Sequence, residues 1–125
     1  MESPHKSRSG LVRIWRALFY SLAGLRAAWQ AEHAFRQELM LAAVLVPTAL
    51  LLPASLTQRA LLLACVLVLL IVELLNSAVE TTIDRISLDQ HGLSKRAKDI
   101  GSAAVLIALV NLVVVWAMVL YDILG

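Results

Sequence analysis

The sequence predicts an all-α membrane protein, with three transmembrane helices preceded by an amphipathic surface helix. Three observations lead to this fold class. Hydrophobic residues make up 60% of the 125 and charged residues only 16%, with a mean hydropathy of +0.79, which excludes an ordinary soluble domain. Three apolar stretches are long enough to cross a hydrocarbon core of about 30 Å as helices. The cations alternate between the two sides of those stretches. Lys6, Arg8, Arg13, Arg16, Arg26 and Arg36 precede the first span, and Arg85, Lys95, Arg96 and Lys98 surround the second loop; only Arg59 marks the first loop, and none follows the third span. The positive-inside rule then places the amino terminus and the second loop in the cytoplasm. A net charge of +2, distributed by topology rather than gathered in a patch, excludes a nucleic-acid partner. Cys65 is the one cysteine, so no intrachain disulfide or cysteine metal cluster forms, and it reads as a small core residue.

Residues 1–10 mix Ser, Pro, His, Lys and Arg with no apolar segment of signal-peptide type behind them and are expected to be a disordered tail. Residues 11–125 then form a single membrane-embedded domain. Over about 11–30, Leu11, Ile14, Trp15, Leu18, Leu22, Leu25 and Trp29 recur at helical spacing, with Arg13, Arg16 and Tyr20 opposite. Such a helix suits the headgroup layer, and packing on the bundle is compatible with it. A polar cluster, Ala31 to Glu38, follows as a turn or second helix at the cytoplasmic interface. The first span is expected over 39–56, kinked near Pro47 and ending near Pro53. Thr57 is a candidate cap for a long helix over 58–86, whose apolar part covers 60–75. A loop over 87–93 and a cap at Ser94 precede the third span, 95–121. Three spans in so short a chain enclose little space, so oligomerisation, with sites built between subunits, is plausible.

Chemistry enters where the second span ends. Ala60 to Val72 carries no charge, and then Glu73, Asn76, Ser77, Glu80 and Asp84 follow, all within a sector of about 100° on one helical face. A carboxylate at a helix centre in hydrocarbon costs on the order of 2.5–3.5 kcal/mol, and less at the interface. Acids one and two turns apart also repel unless a cation or a proton neutralises them. Hard divalent cations such as Mg²⁺ take oxygen ligands and complete their shell with water and phosphate, so the stripe points to metal–phosphate chemistry at a membrane surface. The alternative is a polar seam that holds helices together.

The third helix opens with Ser94-Lys95-Arg96-Ala97-Lys98, cations placed where the helix dipole is already positive. A phosphate suits that end, and so do anionic headgroups or a purely topological role. Gly101-Ser102-Ala103-Ala104 permits close helix approach, and Asn111 is expected to form an interhelical hydrogen bond. His33, beside acids, reads as solvated or hydrogen-bonded. The chain has no GxxxxGK[ST] loop, GxGxxG or HxxxH pattern, so soluble-kinase machinery is missing.

Three stretches together resemble one family: Gly24-Leu25-Arg26-Ala27-Ala28-Trp29 leading to Glu32 and Ala34-Phe35-Arg36-Gln37-Glu38; Glu73 to Glu80 with Asp84; and Ala97-Lys98-Asp99-Ile100-Gly101-Ser102-Ala103-Ala104-Val105. The sequence resembles the small prokaryotic diacylglycerol kinases from about Arg13 to its end. The resemblance implies a homotrimer in the bacterial inner membrane, with active sites shared between neighbouring subunits at the cytoplasmic boundary. It implies transfer of the γ-phosphate of MgATP to the primary hydroxyl of diacylglycerol, giving phosphatidic acid. Glu73 then resembles the general base and Asn76 lies close to the reacting centre, while Glu32 and Glu80 resemble the acids that hold the Mg²⁺-bound nucleotide. Arg13, Tyr20, Lys98 and Asp99 match nucleotide-binding positions, as does the segment Asp89, Gln90 and His91. The lipid substrate is implied along Ala17 to Leu22, including Ser21, along Arg26, Ala27, Ala28 and Trp29, and along Ala34, Phe35, Arg36, Gln37 and Glu38, with Ser102 near the headgroup. Leu22 stands where a tryptophan often does and Ala23 where a lysine may occur, departures that bear on lipid contacts more than on chemistry. An undecaprenol kinase is the nearest rival reading. A non-catalytic membrane subunit or ion pathway is the rival from another class.

Overall fold

The computed structural model describes residues 10–86 and 92–125. The expected tail, apart from Gly10, and the predicted nucleotide contacts Asp89, Gln90 and His91 lie outside the described residues. The described chain is helical: α1 (Gly10–Ala31), α2 (His33–Leu51), α3 (Leu56–Ile86) and α4 (Gly92–Leu124), with no strand among the described residues. It divides into two compact units, residues 1–32 and 33–125.

The first unit is α1, one unbroken helix of 22 residues. Helical spacing sets Arg13, Tyr20 and Ala27 along one side, Ala17, Ser21 and Ala28 beside them, and Leu22, Arg26 and Trp29 on another side. Trp15 and Phe19, one turn apart, meet edge to face with ring centres 5.1 Å apart. The amide of Glu32 still donates to the carbonyl of Ala28 at 2.9 Å.

The second unit holds three helices long and apolar enough to span a membrane. Of the polar cluster expected as a turn or second helix, Ala31 ends α1 and His33 to Glu38 open α2, which is continuous with the first span, runs through Pro47 and stops at Leu51, short of the predicted 56. Proline has no amide to donate and leaves one carbonyl unserved. Within the same turn, the Thr48 hydroxyl donates to the Val44 carbonyl at 2.7 Å.

The α2–α3 turn is tied by side chains. Gln58 donates its amide to Ser55 Oγ (3.1 Å), and Ser55 returns its own amide to Gln58 Oε1 (2.9 Å). This is a reciprocal capping box, so Ser55 caps α3 and the predicted cap, Thr57, lies inside the helix. Arg59 donates to four carbonyls: Ala49 at 2.6 Å, Leu50 at 2.7 Å, Leu52 at 3.3 Å and Ala54 at 3.0 Å. Helix ends expose unserved carbonyls, and one guanidinium serves two of α2, at Ala49 and Leu50, and two of the turn beyond it.

α3 and α4 run antiparallel in a constant register. Asp84 meets Lys98, Asn76 meets Gly101, Leu62 meets Trp116 and Gln58 meets Asp122. The core comprises Ala42 and Ala49 of α2, Leu62, Cys65, Val66 and Leu69 of α3, and Ala108, Leu112, Trp116 and Val119 of α4. The Leu62 carbonyl accepts both from Trp116 Nε1 and from Cys65 Sγ, each at 3.2 Å, which satisfies the indole in an otherwise apolar layer. α4 begins at Gly92, so Ser94 lies within the helix and does not cap it. Asn111 is exposed and makes no bond to α2 or α3: the register turns Ala108 and Leu112 inward and leaves their neighbour outside.

At about 1.5 Å per residue, the 31 residues of α3 outrun a hydrocarbon core of about 30 Å by roughly 15 Å. The apolar residues occupy the end nearer the α2–α3 turn. The surplus length carries the acidic stripe.

Candidate functional site

The stripe on α3 is graded in burial. Glu73 is 4% exposed and Ser77 8%, Asn76 and Glu80 are half-buried, and Asp84 is exposed. The gradient follows from register, because each successive turn of α3 carries the stripe further from the core layers. Glu73 thus marks where the apolar packing of Leu62, Val66 and Leu69 gives way to polar side chains.

A second carboxyl joins it from α2. Glu38 is 9% exposed and lies within Coulombic reach of Glu73, while its Oε2 is buried without a hydrogen-bond partner. Sequence reading groups Glu38 with the lipid contacts, and the acid–acid approach depends on α2–α3 packing that no local pattern encodes.

Asn76 Nδ2 donates to Glu80 Oε1 at 3.2 Å. No other hydrogen bond reaches the Glu80 carboxylate among the described residues, which leaves the second oxygen open to solvent-borne ligands. Thr81 and Thr82 direct their hydroxyls to the carbonyls of Ser77 and Ala78, each at 2.8 Å. These polar groups are absorbed by the helix and are not offered to a ligand.

On α4 the predicted neighbours Lys98 and Asp99 point to different partners. Lys98 Nζ pairs with Asp84 of α3 at 2.7 Å, and Asp99 pairs with Lys95 one turn back at 2.6 Å. Ser102, one turn beyond Lys98, is exposed. The basic start of α4 and the acidic end of α3 neutralise each other in part, a pairing legible in the opposite charges flanking the short second loop.

The remaining predicted residues divide between the two units. Arg13, Tyr20, Glu32 and the lipid-contact candidates Ala17 to Trp29 belong to the first, while Ala34 to Glu38, Glu73, Asn76, Glu80, Lys98, Asp99 and Ser102 belong to the second. Within α2, Phe35 is buried with Glu38, Ala34 and Gln37 are exposed, and Arg36 Nη2 lies 2.8 Å from His33 Nδ1. A guanidinium only donates, so His33 accepts through Nδ1 and carries its proton on Nε2. Among the described residues no three His, Cys, Asp or Glu side chains gather around a point that would hold a metal ion. An oxygen-loving cation here would need ligands brought by a substrate, as Mg²⁺ commonly does with phosphates.

Two buried carboxyls, Glu38 and Glu73, and the Asn76–Glu80 pair thus collect at one end of an apolar three-helix unit. A sequence profile of prokaryotic diacylglycerol kinase matches residues 19–120. The chain belongs to the prokaryotic diacylglycerol kinase family. Among relatives bearing that name, it is 55% identical to a protein of Pseudomonas aeruginosa over 118 residues, 94% of this chain and 96% of the relative. It is 47% identical to one of Escherichia coli K12 over 117 residues, again 94% and 96%. It is 39% identical to one of Helicobacter pylori over 115 residues, 92% and 89%. Membership of the diacylglycerol kinase family therefore extends over both units. With three candidate spans and bacterial relatives, the chain is a multi-pass membrane protein.

Proposed function

We propose that this protein phosphorylates diacylglycerol to phosphatidic acid, with MgATP as donor, at the cytoplasmic face of the bacterial inner membrane. The observation that carries the reading is Glu73, 4% exposed at the end of an uncharged span, with Asn76 and Glu80 one and two turns further along the same face. Family membership supports the substrate class, since the relatives are named diacylglycerol kinases.

In this mechanism the primary hydroxyl of the lipid lies against Glu73, whose carboxylate accepts its proton as the oxygen attacks. The new O–P bond forms to the γ-phosphorus, the bond from that phosphorus to the β-bridging oxygen breaks, and ADP leaves. A partly dehydrated carboxylate is a better proton acceptor than a solvated one. Phosphoryl transfer otherwise needs alignment and charge neutralisation. Glu80, and Glu32 of the first unit, would be ligands for Mg²⁺ carried in with the nucleotide, and the ion would supply that neutralisation; among the described residues only one oxygen of the Glu80 carboxylate accepts a hydrogen bond. Lys98 reaches the nucleotide by exchanging its Asp84 partner for a phosphate oxygen, and Arg13, Tyr20 and Asp99 complete the nucleotide contacts. The lipid lies along the α1 and α2 positions named above, with Ser102 at its headgroup.

The amino terminus is cytoplasmic in this reading because ten of the eleven Lys and Arg residues flank the spans on that side. In this reading the protein is a homotrimer with shared sites, and the large apolar side chains that remain exposed in the single chain, such as Leu67, Ile71 and Leu75 of α3, face lipid tails or neighbouring subunits. Protein reconstituted in vesicles with γ-labelled ATP and either diacylglycerol or undecaprenol tests the proposal. Labelled phosphatidic acid is expected. Label confined to undecaprenyl phosphate would reassign the substrate, and no lipid labelling at all would overturn the kinase reading.

A further inference from the structure

Gly101 of α4 faces Asn76 of the α3 stripe. A Cβ built there would run into Asn76 Oδ1 and lie 3.2 Å from Asn76 Cγ, whereas one at Gly10, Gly24 or Gly92 would meet nothing within 4 Å. Gly101 has no positive φ, so the backbone does not need glycine for its conformation. Inside a helix, glycine is less stable than alanine, and the compensation at this position is space: the carboxamide oxygen of Asn76 occupies the volume a side chain at 101 would fill.

That oxygen is buried and has no hydrogen-bond partner. A buried carbonyl oxygen without a donor is costly, and the side of Gly101 that it faces offers at most a weak C–H···O contact. The other end of the same carboxamide donates to Glu80 Oε1 at 3.2 Å. The two ends are linked, because seating Oδ1 in the hollow turns the Nδ2 hydrogens toward Glu80.

We propose that Gly101 is a positioning residue for the Asn76–Glu80 pair: its missing side chain opens the hollow that receives Asn76 Oδ1 and so fixes the orientation in which Asn76 holds Glu80. The proposal deepens the kinase reading and rests on it for the consequence, since Glu80 is there the carboxylate that meets the metal-bound nucleotide. A methyl group at 101 displaces the carboxamide, frees Glu80 from its donor and weakens nucleotide use more than lipid use.

Gly101→Ala and Asn76→Ala, singly and together, test this by two readouts. In the detergent-solubilised protein, Gly101→Ala is expected to lower the thermal midpoint when Asn76 is present and to leave it unchanged or higher in the Asn76→Ala background, where the methyl enters vacated space. Equal lowering in both backgrounds overturns the proposal, because the methyl would then be acting on helix packing at large. In turnover, Gly101→Ala is expected to raise the half-saturating MgATP concentration roughly tenfold, the scale of one lost hydrogen bond to a charged group, with the half-saturating diacylglycerol concentration little changed. Equal increases for both substrates, or none for MgATP, also overturn it. The thermal cycle needs no turnover, so a wild-type protein that transfers no phosphate refutes the kinase reading while the Gly101–Asn76 contact is still decided.

Discussion

The two ends of the three-helix unit treat polar groups in opposite ways. At the α2–α3 turn Ser55, Gln58 and Arg59 are committed: Ser55 and Gln58 cap each other, Gln58 reaches Asp122, and Arg59 serves four carbonyls. At the other end, burial is combined with incomplete pairing. Glu38 Oε2 and Asn76 Oδ1 are buried without partners, and Glu73 is buried within Coulombic reach of Glu38. Buried polar groups are normally satisfied, so the two ends differ in how completely their buried polar atoms are paired. The committed groups hold the turn in shape, and the two unpartnered oxygens lie at the end that carries the proposed site.

Substitutions at the two ends should therefore separate stability from turnover. The largest expected effect is from Glu73→Gln, which keeps the shape of the side chain and removes the proton acceptor. Transfer should fall by about 10²–10⁴-fold, the usual worth of a general base, with oligomeric state and helix content unchanged by size-exclusion chromatography and circular dichroism. Turnover close to wild type would end the assignment of Glu73. Next comes Arg59→Ala, which orphans turn carbonyls at the opposite end. It should cost about 2–3 kcal/mol of stability, read as a lower thermal midpoint, with the half-saturating concentrations of both substrates unmoved. If those constants shifted while the midpoint held, the division between the ends would be wrong.

Glu80→Ala sharpens the comparison from the site side. It should raise the Mg²⁺ or ATP requirement about tenfold, or about 1.4 kcal/mol, with little effect on the thermal midpoint because Glu80 is outside the core. Titrating Mg²⁺ at fixed ATP reads this directly. Ser55→Ala is the mildest, removing one cap oxygen at a cost of about 1 kcal/mol. Its effect should be confined to stability, and an altered metal dependence there would contradict the picture of an inert turn.

Much of the site was legible because helical periodicity is local. Glu73, Asn76, Ser77, Glu80 and Asp84 fall on one face of any helix that contains them, so the stripe could be read from spacing alone. The termini were less legible. Thr57 and Ser94 are plausible caps by residue type, yet Ser55 has glutamine three residues on and closes a capping box, and α4 starts two residues before Ser94. Arg59 read as a topological marker, although its position beside the turn lets the guanidinium reach carbonyls up to ten residues back in the chain. Of the stretch Gly101-Ser102-Ala103-Ala104, read as permitting close helix approach, Gly101 meets Asn76 of α3, whereas Ser102, Ala103 and Ala104 are exposed.

From sequence alone came the three spans, the surface helix, the cationic asymmetry and the acidic face, since hydropathy and a 3.6-residue period depend on neighbours along the chain. Only the tertiary structure brought Glu38 within Coulombic reach of Glu73 and set Asn76 into the hollow at Gly101. Those contacts depend on the register between helices, and register is chosen by how the whole set of core side chains interlocks, which no single helix specifies.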